Sequence, residues 1–138
     1  MSNDFIIASP KRVPLLPAEE LVRAARERFG DALRVQPSPE GWEADYHLYV
    51  EPNGVYDFAI VHFADNLSVS FEGTPEQNAE LAAWFRGLLP EDFPRVIAFD
   101  DGLFGHVDLI PGITADQVLS RCVYHSTPGW DANDHDLR

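Results

Sequence analysis

The chain has 138 residues, 45% of them hydrophobic and 24% charged, and ten Lys and Arg against 23 Asp and Glu give a formal net charge of -13. That length suits one domain with a real core, and the hydrophobic fraction excludes a disordered polymer. The sign of the charge argues against nucleic acid and against anionic membrane surfaces as partners, because both call for a basic footprint.

The acidity is uneven. Residues 1–38 carry six basic side chains against five acidic ones, whereas the remainder carries four arginines against 18 acids. The single cysteine, Cys122, excludes an internal disulfide and a cysteine-built zinc cage. No run approaches the ~18 apolar residues of a membrane span, and Met1–Ala8 lacks the basic start of a signal peptide. The expectation is a soluble, cytoplasmic protein with one α+β domain over residues 1–124 and a loosely ordered acidic tail over 125–138.

An extended lead punctuated by Pro10 and Pro14 precedes Pro17, which opens a helical pattern. Leu21, Val22, Ala25 and Phe29 share one face of that helix, and Gly30 stands where a C-terminal cap belongs. Leu33 and Val35 suggest a short strand, ended by Pro37-Ser38-Pro39-Glu40-Gly41. A strict alternation follows, with Trp42, Ala44, Tyr46, Leu48 and Val50 facing inward and Glu43, Asp45, His47, Tyr49 and Glu51 facing water.

Pro52-Asn53-Gly54 is a turn into Val55–Phe63, and Asp65-Asn66 turns the chain again into Leu67, Val69 and Phe71. These strands read as an antiparallel meander. With Asn53-Gly54 as a two-residue loop, Asp45 falls opposite His62, with His47 diagonal to it on the same face.

Thr74-Pro75-Glu76-Gln77 combines a capping residue, a first-turn proline and a capping box. The helix it starts buries Leu81, Trp84, Phe85 and Leu88 and stops before Pro90. Asp101-Gly102 marks a second hairpin between Val96–Phe99 and Leu103–Leu109, which sets Arg95 opposite Asp108 and Ile97 opposite His106. Thr114-Ala115-Asp116-Gln117 repeats the capping box before a short last helix. The order α-β-β-β-β-α-β-β-α predicts an α+β fold, a mainly antiparallel sheet with helices packed on one face.

Phosphate-binding glycine loops, a Gly-x-Ser-x-Gly elbow and His-Glu-x-x-His are all absent from the sequence. His47, His62 and His106, each with carboxylates nearby, are the candidates for a small metal-binding or hydrolytic domain. Cys122 reads as a small apolar residue, and the aromatic set Trp42, Tyr46, Phe58, Phe63, Phe71, Trp84 and Phe85 reads as core. No cofactor is expected. The acids on wet strand positions and turns suggest instead a face for a cationic protein partner. Its candidate residues are Glu43, Asp45, His47, Tyr49 and Glu51, with the Asp100-Asp101 turn.

In size, order of elements and acidic excess, and in the strand-to-helix passage His106-Val107-Asp108-Leu109-Ile110-Pro111-Gly112-Ile113-Thr114-Ala115-Asp116-Gln117-Val118-Leu119, the chain resembles the small cytoplasmic immunity proteins of bacterial polymorphic and contact-dependent toxin systems. The resemblance implies a non-catalytic, protein-binding inhibitor that plugs the basic active site or groove of a cognate toxin, rather than an enzyme. A structural or adaptor domain is the remaining alternative.

Overall fold

Phe5-Ile6-Ile7-Ala8, an apolar run of four residues, forms the first strand, β1 (Phe5–Ala8), of the computed structural model, which describes residues 4–100 and 105–125. The other elements are α1 (Ala18–Phe29), β2 (Leu33–Pro37), β3 (Ala44–Val50), β4 (Phe58–Phe63), β5 (Ser68–Glu72), α2 (Pro75–Gly87), β6 (Ile97–Asp100), β7 (Gly105–Asp108), α3 (Ala115–Ser120) and β8 (Val123–Tyr124). The strands make one eight-stranded sheet in the order β2-β3-β4-β5-β1-β6-β7-β8, with every neighbouring pair antiparallel. The fold is α+β, as expected, with two strands added to the expected order: β1 before the first helix and β8 after the last.

The helices start and stop where the sequence signals them. Thr74 and Gln77 close both halves of a capping box, as do Thr114 and Gln117. Gly30, at φ 58°, ends α1 with its N–H on the Arg26 carbonyl. Leu21 and Ala25 of α1, Leu81 and Phe85 of α2 and Val118 of α3 join Ile7, Leu48, Ile60, Phe71, Ala98 and Val107 in one buried cluster. All three helices therefore cover the same face of the sheet. Burial of each large side chain there contributes about 1.5–3 kcal/mol, and the edge-on Phe71–Phe85 ring pair adds directional packing. No helix among the described residues is long and apolar enough to cross a membrane.

Two buried polar side chains of α2 were not foreseen from its periodicity. Asn78 exchanges hydrogen bonds with the backbone N–H and carbonyl of Gly73, which fixes the turn entering the helix. Arg86 is 3% exposed. It donates to the carbonyl of Leu109 and to those of Leu89, Pro90 and Glu91, fastening the end of α2 to the segment after β7.

Both hairpin registers differ from the sequence expectation. A short 3-10 turn at Pro52–Gly54 and the exposed residues after it lengthen the first loop, so Val50 pairs with Phe58 and Tyr46, not Asp45, lies opposite His62. The second hairpin pairs Ile97 with Asp108 and Phe99 with His106, two residues away from the expected register. Its turn, with Asp101 and Gly102, lies outside the described residues, as does the tail beyond His125.

Candidate functional site

Alternation and register place two rows of side chains on the face of the sheet that the helices leave open. The longer row crosses all eight strands as Gln36, His47, Val61, Ser70, Ile6, Phe99, His106 and Val123. Beside it runs Arg34, Tyr49, Ala59 and Glu72. The aromatic side chains collect at the β2–β4 end. His47 stacks on Tyr49 with centroids 6.0 Å apart, Trp42 meets His47 edge-on at 6.0 Å, and Tyr56 meets Tyr49 at 6.3 Å.

Trp42 was expected in the core, yet it is 59% exposed. A bulge between Ala44 and Tyr46 breaks the alternation there, and the strand begins only at Ala44. Tyr56 is 53% exposed because it belongs to the lengthened loop rather than to β4.

Charge on this face is organised around the tyrosines. Arg34 lies over the Tyr49 ring, 4.4 Å from its centroid, and its guanidinium donates to both carboxylate oxygens of Glu51. That pairing holds the Glu51 carboxyl below the usual carboxylate range. Glu72, half-buried, behaves oppositely. Burial first and the neighbouring Asp4 second push its carboxyl up, against a smaller opposing influence from His47. Burial, with Glu72 and Asp4 close by, also raises the Tyr56 phenol. The Tyr56 hydroxyl donates a long hydrogen bond, 3.5 Å, to the Glu72 backbone carbonyl.

The structure scatters the residues singled out from sequence. The bulge turns Asp45 to the helix side, where its carboxylate lies 2.6 Å from Nδ1 of the fully buried His62. Nε2 of His62 donates to the Leu16 carbonyl at 2.8 Å. Glu51 is occupied by Arg34, and Glu43 is exposed beside the bulge. His47, bonded through Nδ1 to the Ser38 hydroxyl, and Tyr49 remain on the open face.

Asp100 does not share that face. It pairs with Phe5 in the helix-side row and lines a cavity of about 150 Å³ with Phe5, Ala98, Val107, Val118 and Cys122. Its strand is four positions from β3, about 19 Å at normal strand spacing. Burial, and after it Asp100, raises the Cys122 thiol, which lowers the thiolate fraction a nucleophile would need.

The three histidines are likewise apart. His62 faces the helices, whereas His47 and His106 face the open side five strand positions apart, about 24 Å. His106 is bonded through Nδ1 to His125 Nε2 at 2.9 Å. Among the described residues, no three His, Cys, Asp or Glu side chains converge as a metal ion requires. No protein-family model, no curated protein and no solved structure matches the chain.

Sequence reasoning missed Arg34 and Tyr56, and counted Glu72 among the acids on wet positions without choosing it for the candidate face. Glu72 was visible as a wet position alternating with Ser68 and Ser70. Tyr56 was concealed inside an apparently continuous strand.

Proposed function

We propose that this chain is a non-catalytic, protein-binding module of the immunity type, which occludes a basic site on a toxin-like partner. The observation that carries the reading is the one-sided fold. Eight strands are clothed by helices on one face, while the other presents Trp42, His47, Tyr49, Tyr56 and Glu72. Exposed aromatic side chains ringed by polar groups are typical of interface anchors, and a net charge of -13 speeds encounter with a cationic surface. A shared catalytic pocket for His47, His62 and His106 has no such support, because the sheet itself separates them.

The test is co-expression with the product of the adjacent reading frame, followed by binding kinetics on the purified pair. Growth rescue and a one-to-one complex whose association slows steeply with added salt are expected. An adjacent product that the chain neither binds nor neutralises overturns the reading.

A further inference from the structure

The chain builds one tyrosine–carboxylate site and fills it itself: Arg34 covers Tyr49 and pairs with Glu51. Next to it stands a second tyrosine and a second carboxylate, Tyr56 and Glu72, joined through the Tyr56 hydroxyl and the Glu72 backbone carbonyl. Among the described residues, no arginine or lysine lies over Tyr56 or within ion-pair distance of the Glu72 carboxylate. The cross-strand position between Tyr49 and Glu72 is Ala59, which is fully buried beneath its neighbours, so the exposed Tyr56 ring is the surface a ligand meets here.

We infer that this half of the open face receives an arginine from a basic segment of the protein partner, its guanidinium laid on Tyr56 and paired with Glu72. The inference rests on the protein-binding reading above and adds where, and with what chemistry, the partner is held.

Three observations favour arginine over other occupants. A planar guanidinium can stack on a ring and pair with a carboxylate at once, as Arg34 does, whereas an ammonium is a point charge. The Glu72 carboxyl is raised first by burial and then by Asp4, and a cation set against the carboxylate acts in the opposite sense. Among the described residues, the influence that lowers the Glu72 carboxyl comes from His47, and it is the smallest of the three acting there.

The experiment uses the whole chain, isotope-labelled, titrated at low salt with acetyl-Gly-Arg-Gly-amide and with its citrulline counterpart, which has the same shape without the charge. Saturable shifts centred on Tyr49, Tyr56 and Glu72 are expected with the arginine peptide alone. Glu72→Gln and Tyr56→Ala should each weaken them about tenfold, and Tyr56→Phe should retain them. Equal shifts with citrulline, shifts centred elsewhere on the acidic surface, or an undiminished response in Glu72→Gln overturn the inference. So does concentration-dependent broadening at these residues without peptide, which would assign the face to a second copy of the chain. Each of these outcomes stands independently of the neutralisation assay. A chain that neutralises its partner without binding arginine here keeps the protein-binding reading and loses this one.

Discussion

Asp45 and His62 form a buried clasp: the carboxylate lies 2.6 Å from Nδ1 of a ring with no exposed surface, and Nε2 donates to the Leu16 carbonyl. A carbonyl only accepts, so Nε2 is the donor in that bond and Nδ1 is the atom that meets the carboxylate. The clasp joins the lead before α1 to β3 and β4. His62→Leu strands both oxygens and is expected to cost about 3 kcal/mol of stability, seen as a lowered urea midpoint at unchanged slope. Asp45→Asn, whose amide meets the ring as donor or acceptor, should cost about 1 kcal/mol. A His62→Leu midpoint equal to that of the parent protein would show that the clasp contributes nothing. Charge reversal at Asp45 is consequently a poor probe of partner binding, because it also removes the bond to His62.

Arg86 supports the opposite end of the molecule. Arg86→Met leaves the carbonyls of Leu109, Leu89, Pro90 and Glu91 without their donor. A loss of about 3 kcal/mol is expected in denaturant unfolding. Arg86→Lys should recover less than half of that, since a single ammonium lacks the fork that spans the helix end and Leu109 at once. Full recovery by lysine would mean that charge alone, rather than shape, is what this position supplies.

Glu72 predicts a pH dependence of definite sign. Its carboxyl is raised in the folded state, chiefly by burial, so the folded chain binds this proton more tightly than the unfolded chain does. Stability from this group is therefore present at pH values below the ordinary carboxylate range and is lost as pH rises through the raised folded value. Glu72→Gln removes the penalty and should raise the melting temperature at pH 7. The gain should shrink toward zero as the pH is lowered into the carboxylate range. A melting temperature that falls at pH 7 in the variant would contradict the assignment.

Much of the fold was legible because local signals agreed with one another. Pro17 and Gly30 bracket α1, two Thr-x-x-Gln boxes open α2 and α3, and alternation marks β3 and β5. β1 escaped because four apolar residues before a run of prolines carry no period, and only the central place of the strand makes both its faces apolar. Registers were harder than elements. Asn53 and Gly54 do take positive φ, as a tight turn requires, but Pro52 draws them into a 3-10 turn and leaves Val55 and Tyr56 exposed. A bulge then reversed the side to which Asp45 points, and no residue pattern around it announces that. The candidate site suffered most from this. His47 and Tyr49 stayed on the expected face, while Asp45 and Glu51, two of the three acids chosen beside them, had partners inside the chain.

The central position of β1 has a consequence for the order of assembly. Its partners are Ser68–Phe71 on one side and Ile97–Asp100 on the other, both far along the chain. During synthesis Phe5–Ala8 emerges before either partner and is an unpaired apolar segment until both have followed. The β2–β5 meander can zip locally, but in the sheet of the described residues β6–β8 pair with it through this strand. Phe5–Ala8 thus acts as the seam in the sheet between two groups of strands made at different times.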